Sequence, residues 1–348
     1  MLTTLLLITL LTVVTSAVLY RGCSWLEVSS QKLAEYYGLP EVVKGSVLTA
    51  IASSVPELAT AVLAIPVHQD FELGLSVIIG SAIYNILVIP ACSVFARGRS
   101  LESNRELVFR EAQFYLVSVS ALLLVVCFAV IYDGNGTLAN GGHEPVLGTV
   151  TRTLALLPLA LYGLYLFIQY EEVKDHRRVA IRNLDVRPLR EWSILVGCVG
   201  LILVGVEVLL RCAIELGQRL ETPTFLWGLT VVAAATSIPD TLISVRASLA
   251  GRSESSISNV LGSNVFDLLV AVPLGVLIAG AATVNFTETV PMMAFLVVAT
   301  VVMLVFMRRD MEISRSEAVG MIALYVVFGL WMGLEAFGAM NLLGGVSH

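Results

Sequence analysis

Ten stretches of this chain are apolar for about twenty residues, the length a helix needs to cross the hydrocarbon core of a bilayer. Backbone amides and carbonyls find no water there, so each stretch must satisfy its own hydrogen bonds as a helix. The spans read as 2–20, 42–66, 72–96, 108–132, 147–170, 192–216, 223–249, 255–281, 288–307 and 314–338. Only 14% of residues are charged and the mean hydropathy is +0.86, whereas a soluble domain carries about 25% charged residues. The stretch 2–20 lacks a basic leader and a small-residue cleavage pattern, so it reads as a retained first span. Cys23, Cys92, Cys127, Cys198 and Cys212 form no CxxC pattern and read as small core hydrophobes. No basic run interleaved with aromatics suggests a nucleic-acid partner.

Charge placement sets the topology. Of 21 basic residues, only Arg152, Arg211 and Arg219 lie outside the loops that join spans 1–2, 3–4, 5–6, 7–8 and 9–10. Basic loops stay on the cytoplasmic side, which places both termini outside. The charged stretch 171–191 reads as a solvated linker between spans 1–5 and spans 6–10. His68 falls in a loop and reads as solvated. Glu335 reads as interfacial, and Trp227, Trp331 and Tyr170 as interface anchors.

Inside this apolar chain one pattern occurs twice. Ala52-Ser53-Ser54-Val55-Pro56-Glu57 returns as Ala235-Thr236-Ser237-Ile238-Pro239-Asp240. Gly80-Ser81 with Asn85 returns as Gly262-Ser263 with Asp267. The offsets are 183 for Glu57 to Asp240 and 182 for Gly80 to Gly262. With five spans per half, an odd number, the second copy must sit upside down relative to the first. The expected fold is therefore all-α and membrane-embedded, about ten transmembrane helices in two inverted five-helix repeats. The division is 1–170 (motif at 45–96), linker 171–191, and 192–348 (motif at 228–280). Inverted repeats of this kind place a substrate near mid-membrane between the halves.

Acids inside a membrane are costly and mark ion sites or paths. Proline has no amide hydrogen, so Pro56 frees the carbonyl of Ala52 and Pro239 that of Ala235. Ser54 with Glu57, and Ser237 with Asp240, are three apart and are expected on one helix face; Ser81 with Asn85, and Ser263 with Asp267, are four apart. The set supplies carboxylate, amide, hydroxyl and carbonyl oxygens, without histidine or thiolate, which suits hard cations such as Ca²⁺, Na⁺ or K⁺. Single serines in membrane helices often only bond back to the helix; the duplicated set has no such plain explanation. Glu207 and Arg211, four apart in span 6, read as a structural or gating pair.

At these residues the chain resembles the Ca²⁺/cation antiporter superfamily, within it the sodium/calcium exchangers. Ser53-Ser54-Val55-Pro56-Glu57 and Ala235-Thr236-Ser237-Ile238-Pro239-Asp240 are similar to the centres of that family's two repeats, as are Gly80 to Leu87 and Gly262 to Asp267. The resemblance implies that Glu57 and Asp240 hold Ca²⁺ from opposite sides, with the carbonyls of Ser53 and Thr236. It also implies that Ser54, Ser237, Ser81, Ser263, Asn85 and Asp267 serve monovalent ions, with the carbonyls of Ala50 and Ala233 as outer ligands. Spans 1 and 6 would be the sliding pair that switches access. Asp240 with Ala82 and Asp267 looks closest to the potassium-dependent exchangers, and the Gly-Asn of the proton-coupled branch is not present before the repeat acids.

The expected function is antiport of Ca²⁺ against Na⁺, with K⁺ as a candidate co-ion, in the plasma membrane. Its partners are inorganic cations and the lipid bilayer; it needs no cofactor or nucleic acid and is compatible with a monomer. Proton-coupled Ca²⁺ antiport, a cation channel and an intramembrane aspartyl enzyme are the alternatives.

Overall fold

A computed structural model describes residues 2–38, 49–105, 107–134, 146–175 and 186–336. The first helix, α1 (Leu2–Tyr37), is 36 residues long and continues well past the span expected at 2–20. Its second half is too polar to register as apolar, yet neither proline nor a turn cluster interrupts it before Gly38, whose φ of 69° ends the helix. The second span is split into α2 (Thr49–Ser53) and α3 (Val55–Ala64), and its expected start at 42–48 lies outside the described residues. The third is α4 (Phe71–Arg97), capped by the Asp70 carboxylate, which accepts from the Leu73 amide at 2.8 Å. A π turn (Leu107–Glu111) leads into α5 (Ala112–Asp133), followed by α6 (Arg152–Asp175).

The second half repeats the order. The long α7 (Pro188–Leu220) is followed by α8 (Thr224–Trp227), a π turn (Gly228–Val232) and α9 (Ala233–Thr236). The chain then bends by 41° into α10 (Ile238–Leu249). α11 (Ser253–Phe266), a π turn (Asp267–Ala271) and α12 (Val272–Ala279) form one span, and α13 (Phe286–Asp310) and α14 (Arg315–Ala336) complete the bundle. Among the described residues eight helices are long and apolar enough to cross a membrane, nine when the bent pair counts as one. The protein is an all-α integral membrane protein with many spans.

Four short strands differ from expectation. Leu147–Thr151 (β2), expected as the start of the fifth span, pairs antiparallel with Ala281–Asn285 (β3). Hence α6 starts only at Arg152, and α12 stops at Ala279, before the expected limit of 281. At the other end of α5 and α13, Leu101–Glu102 (β1) pairs with Glu312–Ile313 (β4). β1 and β3 each precede the fourth span of their half and β2 and β4 each precede the fifth, so the two clasps correspond by their place in the repeats and close opposite ends of the bundle. Threonine, valine and alternating burial suit Leu147–Thr151 to a strand, but an apolar run of this length does not by itself separate strand from helix.

The buried centre is α4 and the span from α11 through α12, with 89% and 83% of their apolar windows enclosed. The long helices α1 and α7 lie together on the outside. Their contact is reciprocal: Leu19 lies over Gly205, and Ile202 over Gly22. Small residues let helices approach closely in lipid.

Candidate metal centre

The two helix breaks are near copies. Ser54 has φ −88° and ψ 5°, and Ser237 φ −80° and ψ −3°, both in the sparsely used bridge region. The backbone ladder stops with Ser54 N donating to Ala50 O and resumes with Leu58 N donating to Ser54 O. Ser237 N to Ala233 O and Thr241 N to Ser237 O repeat the step. Each break starts a new helix, with proline and then the acid in its first turn. The positive end of a helix favours a carboxylate there. Ser54 is thus the junction residue itself and does not share a continuous helix face with Glu57; its hydroxyl instead faces the Ser263 carbonyl at 3.5 Å.

The breaks meet because α4 and α11 allow close approach. A Cβ on Gly80 would come within 2.1 Å of the Leu229 carbonyl oxygen. One on Gly262 would come within 3.2 Å of the Ala50 methyl. Only hydrogen fits at the first position.

Around this crossing each acid is held by both halves. Ser81 Oγ donates to Glu57 Oε1 at 3.0 Å and shares a 2.7 Å hydrogen bond with Ser237 Oγ. Ser263 Oγ donates to Asp240 Oδ1 at 3.0 Å and shares a 3.2 Å hydrogen bond with Ser53 Oγ. The Thr236 hydroxyl lies within reach of Glu57, and that of Ser53 within reach of Asp240. Asn85 Nδ2 donates to Asp240 Oδ2 at 3.2 Å. Glu57, Asp240, Asp267, Ser54, Ser81, Asn85, Ser237 and Ser263 are fully buried. All twelve residues singled out in the sequence therefore lie on the elements that meet here.

Several oxygens in this cluster have no donor. Glu57 Oε2, Asn85 Oδ1 and both carboxylate oxygens of Asp267 are buried without a hydrogen-bond partner. Buried charge left unpaired is expensive. A bound cation is one species that can satisfy such acceptor oxygens, as is a proton on a carboxylate. Among the described residues no group of three or more His, Cys, Asp or Glu side chains is placed to hold a metal by itself. The donor set is mixed: carboxylate, amide, hydroxyl and carbonyl, the chemistry of a hard ion.

Ala50 and Ala233 are a refinement. The Ala50 carbonyl accepts from Ser54 N and from Ser53 Oγ, both at 3.1 Å. The Ala233 carbonyl accepts from Ser237 N at 3.1 Å and Thr236 Oγ1 at 3.2 Å. Both lone pairs of each are in use, so either becomes a ligand only when the neighbouring hydroxyl turns away.

Asn264 was not among the expected site residues. Its Oδ1 accepts from Asn85 Nδ2 at 2.9 Å, and its Nδ2 donates to the Ala82 carbonyl at 3.2 Å. The Asn85 amide nitrogen is thereby engaged by Asp240 and Asn264, and its oxygen is left without a donor. The signal was its position beside Ser263, with Ala82 as its counterpart in the other half.

Away from the centre, Glu207 pairs with Arg211 at 2.7 Å, as expected from their spacing. His68, expected to be solvated, is half-buried and lies 2.9 Å from Glu207. The contact ties the turn after α3 to α7. Glu335 is fully buried and accepts from the Trp331 indole at 3.1 Å. Trp227 donates to the Thr222 hydroxyl at 2.7 Å.

A sequence profile described as sodium/calcium exchanger protein matches residues 7–171 and 191–334. The chain belongs to the sodium/calcium exchanger family. An uncharacterized membrane protein of Methanocaldococcus jannaschii is 25% identical over 313 residues, covering 89% of this chain and 92% of that one. The sodium/calcium exchanger MaX1 of Methanosarcina acetivorans is 23% identical, covering 89% and 94%. Human sodium/potassium/calcium exchanger 5 is 25% identical over 327 residues, and this chain spans only 64% of its length. A solved structure of the sodium-calcium exchanger NCX_Mj superposes with a TM-score of 0.62 at 23% identity, over 93% of this chain and 98% of that one. The exchanger fold is shared throughout. This family transports cations across membranes, and the chain is a cation exchanger of that kind.

Proposed function

We propose that this protein exchanges Ca²⁺ for Na⁺ by alternating access, with Glu57 and Asp240 as the two charged ligands of Ca²⁺. The observation that carries the reading is one buried cluster that holds an acid from each half and in which Glu57 Oε2, Asn85 Oδ1 and both Asp267 carboxylate oxygens have no donor. Carbonyls of Ser53 and Thr236 complete the Ca²⁺ ligands. Ser54, Ser237, Ser81, Ser263, Asn85 and Asp267 serve Na⁺, with Ala50 and Ala233 as outer ligands once their hydroxyl donors rotate. Ca²⁺ and Na⁺ compete for overlapping oxygens. An empty site carries unpaired acids that resist passage through a closed state, and a filled one does not. That difference couples one ion's exit to the other's entry.

The division into 1–170 and 192–348 as inverted repeats supports switching by α1 and α7 sliding across the centre. The placement of 18 of 21 basic residues (21 less Arg152, Arg211 and Arg219) supports outside termini; plasma-membrane residence and a monomeric unit complete this reading. One observation favours K⁺ as a co-transported ion: both Asp267 oxygens are buried without a hydrogen-bond partner, with only the Ser54 hydroxyl nearby, and some relatives carry the name sodium/potassium/calcium exchanger. The test is Ca²⁺ uptake into proteoliposomes under separate Na⁺, K⁺ and pH gradients. Uptake driven by an outward Na⁺ gradient is expected; uptake driven only by a pH gradient would point to proton coupling, and uptake indifferent to every counter-ion to a channel.

A further inference from the structure

The two halves are not chemically alike on the way out from the site. On α10, Asp240 is followed at intervals of four by Ser244 and Ser248, which places all three on one helix face. Asn259 of α11 lies within reach of Asp240, and its Nδ2 donates to Ser244 Oγ at 3.1 Å. Its Oδ1 is buried without a partner, on a residue 6% exposed. Ser248 Oγ donates to the Ser93 carbonyl at 3.3 Å, and Ser93 Oγ shares a 3.3 Å hydrogen bond with Ser256 Oγ. Beyond these, Arg97 bonds to the Ser253 hydroxyl and pairs with Glu102. A buried polar column thus runs from Asp240 to the membrane face carrying Arg97 and Arg252.

The inverted repeat supplies a built-in control. By the same sequence offsets, the counterparts of Ser244 and Ser248 are Ala61 and Ile65. Those of Ser256, Asn259 and Ser93 are Gly74, Val77 and Gly275. All five hydrogen-bonding positions are apolar in the other half. There Ile65 fills the space: a Cβ on Gly275 would come 2.5 Å from Ile65 Cδ1, and one on Gly74 3.1 Å from Ile65 Cγ1. A cavity of about 290 Å³, lined by residues that include Ile65, Pro66, Gln69, Phe71, Ala281 and Thr283, lies beside it. Helix glue alone would explain serines in one half, but the same helix crossings in the other half hold together without one hydroxyl at these positions.

We infer that Ser93, Ser244, Ser248, Ser256 and Asn259 line the route by which the cation travels between the central site and the Arg97–Arg252 face, and that Ile65 plugs the opposite route. The hydroxyl and amide oxygens replace part of the ion's hydration shell at each step, as in other selective cation pathways. The plug works differently: it excludes water until the helices part. This rests on the exchange reading above.

The test uses full-length protein with its five cysteines replaced and single Ser248→Cys, Ser256→Cys and Ile65→Cys variants in sealed vesicles. A charged, membrane-impermeant methanethiosulfonate reagent is added to one face at a time. Ser248→Cys and Ser256→Cys should react about tenfold faster from the Arg97–Arg252 face, and Ile65→Cys faster from the other. Ser248→Ile, which copies the plug into the polar half, should slow Na⁺-driven Ca²⁺ uptake about tenfold, and Ser248→Ala, which removes one oxygen but leaves room for a water, should slow it by a smaller, measurable factor. Equal labelling from both faces, or none at 248 and 256 in a variant that still exchanges, would overturn the route. One-sided labelling in a protein that moves no Ca²⁺ would leave the route standing and count against exchange instead.

Discussion

Glu57 and Asp240 are each anchored by a serine of the following span and by a hydroxyl of the opposite half. Neither acid has a basic partner among these contacts, and in the proposed reading the transported cation supplies the counter-charge. Glu57→Gln and Asp240→Asn keep the shape and remove the charge; Na⁺-driven Ca²⁺ uptake should vanish in both, and unchanged uptake would refute the site. Asn264 acts one step further out. Without its amide, Asn85 is free to turn its oxygen away. Asn264→Ala should raise the KM for Ca²⁺ by about tenfold while changing kcat less, the usual size of an outer-shell effect on a metal site. The acids and serines were legible in the sequence because they recur in both halves. Asn264 was not, because its counterpart is Ala82 and a search for matched pairs passes over it.

At the level of helices, the proline-marked breaks were readable because proline removes a backbone donor wherever it stands. The π turns at Gly228–Val232 and Asp267–Ala271 carry no such mark. Nor did the true lengths of α1 and α7, whose polar ends are helical by packing rather than by hydropathy: Lys32 of α1 pairs with Glu191 of α7 at 3.5 Å. The paired strands at Leu147–Thr151 and Ala281–Asn285 depend on a partner 130 residues away, which local periodicity does not see. The crossing at Gly80 yields a direct prediction. A methyl group there meets the Leu229 carbonyl at 2.1 Å, so Gly80→Ala forces backbone apart. Overpacking of this kind costs about 1–3 kcal/mol. The variant should melt at a lower temperature in detergent and lose exchange, whereas Gly163→Ala, with open space around its Cβ, should do neither.

For the whole molecule, the inverted arrangement separates a central block, α4 and α11 with the broken helices, from the α1–α7 pair. Within the pair the contact is reciprocal, Leu19 over Gly205 and Ile202 over Gly22, so it should travel as one body. Between pair and block, His68 and Glu207 touch across what would be the sliding surface. A short bifunctional thiol cross-linker joining Gly22→Cys to Ile202→Cys should leave Ca²⁺ exchange intact. The same reagent joining His68→Cys to Glu207→Cys should arrest it, and exchange that survives the second bridge would exclude sliding of α7 past the turn after α3.

In the proposed site two oppositely oriented halves each lend one carboxylate to a single cation. The decisive measurement is equilibrium Ca²⁺ binding to the purified protein by calorimetry without Na⁺. One Ca²⁺ per chain should bind to the parent, and Glu57→Gln and Asp240→Asn should each lose that binding. Parental affinity in either variant would contradict a shared site.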